Sequence, residues 1–385
     1  MVKQIEGTVS GLAELECFYH PADREMLPAY FEVSNFKKVL KYHQSLPSYH
    51  QTPLVALPGL ARALGVGGIY LKDESKRFGL NAFKGLGASY ALHRVLQQTD
   101  GLQEVTTATD GNHGKAVAWA AGEAGIRATI FMPKGSADCR VEAIRALGAT
   151  VHVTDANYDD TVRMALNYGN STGACLIQDT SFEGYTEIPQ AIVLGYSTMA
   201  AEALEQLNTH RIFPTHVFLQ AGVGSMAGGV IGYLARALGA AVPRFLILEA
   251  RESACIYESV RRRRWTAIGG HPQTAMAGLN CGEPNPATLP IIQAFAEFYG
   301  RCTDAVTFRA MRQLARPCAG DPAVISGESG AVGLGALMEL IRNPALREWT
   351  ERMGLDKTSQ ILLFSTEGDT DREHYEAILK EDLRR

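Results

Sequence analysis

From about residue 68 to its end the chain alternates short apolar runs with longer amphipathic stretches. The runs at 68–72, 104–108, 128–132, 151–153, 176–178, 216–220, 245–248 and 360–364 are mostly apolar and often β-branched, as strands covered on both faces must be. Helical spacing follows over 84–98, 113–125, 137–147, 158–168, 187–207, 226–238 and 330–341. Strand, loop and helix in repetition predict an α/β chain of mainly parallel sheets with helices on both sides, three layers deep. About four such units fall within 89–195, enough for a small domain inserted in a larger one made of 1–88 and 196–385. The first sixty residues lack a strong period, and 42–54 reads as a packed, irregular arm.

The 385 residues are 46% hydrophobic and 20% charged, which supports a sizeable core and excludes a disordered chain. Thirty-seven basic against 41 acidic residues leave a net charge of −4, a poor balance for a protein that neutralises nucleic-acid phosphates. The single basic run, Arg261 to Arg264, reads as a solvated face. No stretch approaches the ~18 apolar residues of a membrane span, and Met1 to Gly7 lack the apolar block of a signal peptide. Seven cysteines with no Cys-x-x-Cys pair, and ten histidines without ligand spacing, predict neither a disulfide scaffold nor a metal site. A cytoplasmic enzyme or ligand-binding protein remains.

Four segments carry chemistry, and each opens where a strand gives way to a helix. In the first, Leu71 to Ala88, a polar loop leads to Lys84 at a helix start beside small residues. A helix N-terminus disfavours a cation, so a lysine there is either an ordinary surface residue or an amine meant to lose its proton and form an imine with an aldehyde. On the second reading, position and burial both lower its pKa. The second segment, Thr107 to Gly114, holds Thr109, Asp110, Gly111, Asn112 and His113, a turn whose N–H groups suit a carboxylate. Asn112 can reach a phenolic oxygen there, and Asp110 reads equally as a helix cap. The third, Gln220 to Gly229, contains Gly222, Val223, Gly224, Ser225 and Met226. Its amides and the Ser225 hydroxyl can cradle a phosphate. It also mimics a dinucleotide fingerprint with Glu249 as the ribose acid, which keeps a nicotinamide-dependent oxidoreductase as a rival reading. The fourth, Phe364 to Asp371, places Ser365 before a tight acidic turn.

In this order the four segments resemble the pyridoxal-phosphate enzymes of fold type II, the family of threonine dehydratase and the tryptophan synthase β-subunit. Agreement is greatest with the diaminopropionate ammonia-lyase branch. It rests on the run from Lys72 to Lys84, on Ala108 to Gly114, and on Gln178-Asp179-Thr180 with Glu183-Gly184-Tyr185. It continues through Met276 to Leu279, Cys281 to Pro284, Ser326 to Gly330 and Ser365 to Asp371. The resemblance runs from about Pro53 onward, and residues 1–36 do not share it.

What the resemblance implies is specific. Lys84 carries pyridoxal 5'-phosphate; Asn112 meets the cofactor hydroxyl; the loop Gly222, Val223, Gly224, Ser225, Met226 holds the phosphate; Ser365 meets the pyridine nitrogen. Thr109, Asp110, Gly111, His113 and Asp179 face the amino-acid substrate. Lys84 acts on the L-isomer and Asp110 on the D-isomer, with Asp179 a second acid near the substrate. Each of the two acids raises the other's pKa in an empty site. The implied reaction is α,β-elimination of 2,3-diaminopropionate to pyruvate and two ammonia by way of aminoacrylate, in a homodimer. A serine or threonine dehydratase, a lyase for another diamino acid and a β-replacement enzyme remain as alternatives. Cys255 and Cys281 are placed near the site mouth, and the sequence leaves open whether they bond.

Overall fold

The computed structural model describes residues 13–24, 27–109, 111–270 and 272–381. Its strands are β1 (Leu15–Tyr19), β2 (Leu54–Ala56), β3 (Gly68–Asp73), β4 (Glu104–Ala108), β5 (Arg127–Met132), β6 (Thr150–Val153), β7 (Cys175–Leu176), β8 (His216–Gln220), β9 (Arg244–Ala250), β10 (Phe298–Cys302) and β11 (Gln360–Ser365). They form a seven-stranded sheet in the order β1-β10-β9-β8-β11-β3-β2 and a four-stranded sheet in the order β6-β5-β4-β7. The smaller sheet is parallel throughout. The larger is parallel except at its two edges, where β1 meets β10 and β2 meets β3 antiparallel. Every residue of β8 is buried, the apolar run Val217 to Leu219 and the polar ends His216 and Gln220 alike.

Several sequence expectations are corrected. Strands β1, β2 and β10 were not foreseen, and a helix, Val33–Ser45, occupies much of the stretch before residue 60. Edge strands are half-buried and need no apolar run: β2 has no fully buried residue. In β10, Arg301 breaks the apolar pattern because its side chain reaches Glu16 of β1 at 2.7 Å. The helical stretch expected over 187–207 is two helices, Glu187–Gly195 and Ser197–Thr209. The break falls where Gly195 presses on the chain next to Lys84. A Cβ on Gly195 would lie 2.5 Å from Leu86 O, so backbone contacts backbone and the helix Gly85–Gln98 is seated against its neighbour.

The segment between β3 and Lys84 is held by a buried ion network. Arg77 Nη2 lies 2.8 Å from Glu74 Oε1 and 2.7 Å from Glu202 Oε2, and Lys72 Nζ lies 2.7 Å from Glu202 Oε2. Two cations face two carboxylates, and Thr52 Oγ1 donates to Glu74 at 2.6 Å to satisfy a further acceptor. Such a network costs desolvation and returns a fixed geometry. Among the described residues no helix is long and apolar enough to cross a membrane.

Candidate active site

Loops at the carboxyl ends of β3, β4, β7, β8 and β11 converge on one cavity, the place where parallel sheets assemble their sites. Lys84, Thr109, Gly111, Asn112, His113 and Asp179 all contribute to its wall, as do Gly222, Val223, Gly224, Ser225 and Met226. Asp110 lies outside the described residues.

Lys84 sits at the N-cap of the helix Gly85–Gln98 with no side-chain cap of its own. Its Nζ donates to Asp179 Oδ2 at 2.6 Å, with the two side chains 18% and 8% exposed. Burial works against the Lys84 charge, but the Asp179 carboxylate more than reverses it and holds the ammonium above the usual lysine range. Burial likewise pushes Asp179 up, and Lys84, then His113, pull it well below the usual carboxylate range. The expectation of a lowered lysine pKa is thereby overturned in the free lysine, and the cause is the opposite charge 2.6 Å away.

The turn after β4 is capped from within. Thr109 Oγ1 accepts from Gly111 N at 2.9 Å and Gly114 N at 3.0 Å, so Thr109 supplies side-chain capping to the first turn of the helix. Gly111 has φ 156°, and a Cβ there would lie 3.0 Å from Arg140 Cδ. Asn112 Nδ2 donates to Glu367 Oε2 at 2.6 Å, while Glu367 Oε1 accepts from Ser329 N at 3.0 Å. Glu367 thus fixes the amide of Asn112 from the far side of the cavity. Sequence reasoning missed it as a functional residue, although it lies two positions after Ser365.

The glycine loop is packed from behind. A Cβ on Gly222 would lie 3.0 Å from both Cys281 Sγ and Gly278 O, and Gly224 has φ 93°. Ser225 opens the helix Ser225–Leu238, whose first N–H groups have no partner within the helix and form a positive end in the cavity wall. The Ser225 hydroxyl donates to Asp179 O at 2.8 Å and accepts from Asn285 Nδ2 at 2.8 Å. Its proton is therefore already engaged, and its backbone N–H is what remains for an anion. Asn285, which also donates its N–H to Val223 O at 2.7 Å, was another omission. Its signal was the string Cys281 to Pro284 immediately before it. Gln220 Nε2 ties this loop to the end of β11, donating to Phe364 O at 2.8 Å and Thr366 Oγ1 at 3.0 Å.

Ser365 is fully buried, its hydroxyl 2.7 Å from Ser326 Oγ, and its neighbours Thr366 and Glu367 are the ones that reach the cavity wall. Cys255 Sγ lies 3.8 Å from Gly222 O, so Cys255 and Cys281 both pack against Gly222. Glu249 does not serve as a ribose acid. Its two oxygens accept from Ile256 N at 2.9 Å and Tyr257 N at 2.6 Å, which caps the helix Cys255–Arg262. That removes the main support for the nicotinamide reading.

A model of the family described as pyridoxal-phosphate dependent enzyme matches residues 46–353. The chain belongs to the pyridoxal-phosphate dependent enzymes. Within that family it is 46% identical over 368 residues to diaminopropionate ammonia-lyase of Escherichia coli (strain K12), covering 91% of this chain and 92% of the relative. The Salmonella typhimurium protein of the same name is 44% identical over 367 residues, covering 89% and 91%. A crystal structure of the Escherichia coli enzyme in complex with an aminoacrylate-PLP azomethine reaction intermediate aligns with a TM-score of 0.91 at 44% identity. The alignment covers 96% of this chain and 97% of that one. The architecture is fold type II. The walls of the cavity fit the family's cofactor, pyridoxal 5'-phosphate: they offer a primary amine to an aldehyde, a helix N-terminus to a phosphate and a side-chain amide to a phenolic oxygen.

Proposed function

We propose that this pyridoxal-phosphate enzyme eliminates ammonia from 2,3-diaminopropionate, of D or L configuration, and releases pyruvate and two ammonia. The observation that carries this reading is the buried pair of Lys84 and Asp179: an amine suited to the cofactor aldehyde beside an acid suited to a second amino group. The similarity to the two ammonia-lyases supports it.

Bound in the cavity, pyridoxal phosphate supplies an aldehyde for the lysine and an electron sink for the bond broken at Cα. Lys84 Nζ would hold the cofactor through its aldehyde carbon, with water as the leaving group. Gly222, Val223, Gly224, Ser225 and Met226 hold the phosphate through backbone N–H groups at a positive helix end. Asn112 keeps one amide hydrogen on Glu367 and has the other for the phenolic oxygen. Ser365, backed by Ser326, supplies a neutral hydroxyl to the ring nitrogen. Thr109, Gly111 and His113 belong to the turn that receives the substrate carboxylate and sets the direction of the Cα–H bond. Lys84 Nζ, once a neutral amine, takes the Cα proton of the L-isomer, and Asp110 that of the D-isomer from the other face. Asp179 Oδ2 attracts the substrate's second, cationic amino group.

The chain's two sheets support a division into a large domain, 1–88 with 196–385, and a small one, 89–195, with the site between them. We place the protein in the cytoplasm as a homodimer. The deciding experiment is an assay of keto acid and ammonia with both enantiomers of 2,3-diaminopropionate, alongside serine and threonine. Two ammonia per pyruvate from diaminopropionate supports the reading. Turnover of serine or threonine alone favours a dehydratase, and product only with an added nucleophile favours β-replacement.

A further inference from the structure

His113 has one ring nitrogen that the fold accounts for and one that it does not. Nε2 lies 2.8 Å from Ile177 O, and a carbonyl can only accept, so Nε2 carries a proton. Burial favours the neutral ring, which leaves Nδ1 as a bare acceptor. Among the described residues that atom has no hydrogen-bond partner, and it is buried in a residue 5% exposed that forms part of the cavity wall. Its neighbour in the wall is Asp179 Oδ2, 3.8 Å away, too far for a hydrogen bond and itself an acceptor. Two buried acceptors therefore stand side by side, and one of them, the carboxylate oxygen, accepts from the ammonium of Lys84 at 2.6 Å.

Acceptors spaced 3.8 Å apart are within reach of two N–H bonds of a single primary ammonium placed about 2.9 Å from each. The Lys84 ammonium fills only the Asp179 half of that place and leaves His113 Nδ1 without a donor among the described residues. Whether joined to the cofactor aldehyde or released as the neutral amine that takes the Cα proton, Lys84 Nζ would no longer offer three protons, and the acceptor pair is left to another cation. We infer that His113 Nδ1 and Asp179 Oδ2 together form a primary-ammonium site, which holds the amino group on the substrate's β-carbon. The inference rests on the reading of this protein as acting on a diamino acid, and it makes His113 a determinant of specificity. A β-hydroxyl has a single proton and can satisfy only one of the two acceptors, whereas an ammonium satisfies both. Serine is discriminated against because it leaves a buried acceptor unpaired.

The test compares His113→Gln, which keeps a donor in reach of Ile177 O and removes Nδ1, with His113→Asn, which keeps a polar atom near Nδ1. The glutamine variant is expected to raise KM for diaminopropionate about tenfold more than it raises KM for serine of the same configuration. The asparagine variant restores part of the preference. Equal changes for both substrates, or none for the diamine, overturn the inference. Independently of turnover, 15N-histidine spectra of the parent holoenzyme should show His113 protonated on Nε2, with an Nδ1 resonance that moves on adding ammonium chloride. An Nδ1-protonated ring, or an Nδ1 signal indifferent to ammonium, also overturns it. A parent protein that releases no pyruvate from either enantiomer would sink the functional reading, while the spectra would still decide the ammonium site.

Discussion

Lys84 Nζ and Asp179 Oδ2 are paired at 2.6 Å across the cleft between the two sheets, one from the loop after β3 and the other from the loop after β7. The lysine caps a helix whose positive end repels it, and the carboxylate offsets both that repulsion and the loss of solvent. The pair is thus a device that keeps an amine charged in a place where it would otherwise lose its proton.

Removing the carboxylate should reverse the sign of the shift on Lys84. In Asp179→Asn, burial is opposed only by the smaller effects of Tyr196 and Cys281, and it is expected to push the ammonium below its usual value of about 10.4. The neutral, reactive amine is then populated at lower pH. The pH midpoint for capture of pyridoxal phosphate by the apoprotein, followed by absorbance in stopped flow, is expected to move down. An unmoved midpoint means the pair does not control the lysine.

Asp110→Asn tests the division of labour between two bases. Loss of a positioned base costs about 10²–10⁴ in rate, and it should fall on the D-isomer of diaminopropionate. kcat/KM for the L-isomer, served by Lys84, should change far less. Equal losses on the two isomers would remove the two-base proposal.

The network under the lysine segment predicts a large stability effect away from the cavity. Glu202 faces both Arg77 and Lys72, and Glu202→Ala leaves two buried cations with Glu74 alone. The cost is about 3–5 kcal/mol, read as a lower midpoint of urea unfolding at unchanged slope. Burial pushes the Glu202 carboxyl up, but Arg77 and then Lys72 pull it below its ordinary value. A carboxyl lowered in the folded state contributes stability that is complete above the unfolded value of about 4.3 and lost as pH falls below it. Glu202→Gln should therefore flatten the acid limb of the stability profile. An unchanged limb would show that the network does not act through this carboxyl.

The legible parts of the site are those in which one short segment supplies both the fold signal and the chemistry. Lys84 after β3, the turn from Thr109 to His113 and the loop from Gly222 to Met226 each follow an apolar strand and open a helix, so residue type and position were read together. The contacts that tune them were not readable in this way. Lys84 to Asp179, Asn112 to Glu367 and Ser225 to Asn285 join residues 95, 255 and 60 positions apart; the placing of the two sheets brings the first two pairs together, and the packing of loops within the larger part brings the third. The direction of the lysine shift was misjudged for that reason. Burial was visible in the sequence, and the partner that outweighs it was not. The missing strands share a physical cause, since β1, β2 and β10 lie at or next to a sheet edge, where a strand needs no continuous apolar run.

The central claim is that the Lys84 amine is the group joined to the cofactor, and borohydride reduction of the holoenzyme followed by peptide mass spectrometry tests it most directly. The account predicts a phosphopyridoxyl group fixed on the peptide containing Lys84, and a Lys84→Ala protein that neither takes the label nor shows visible cofactor absorbance. A label on a different lysine, or an unmodified Lys84 in an active enzyme, would contradict it.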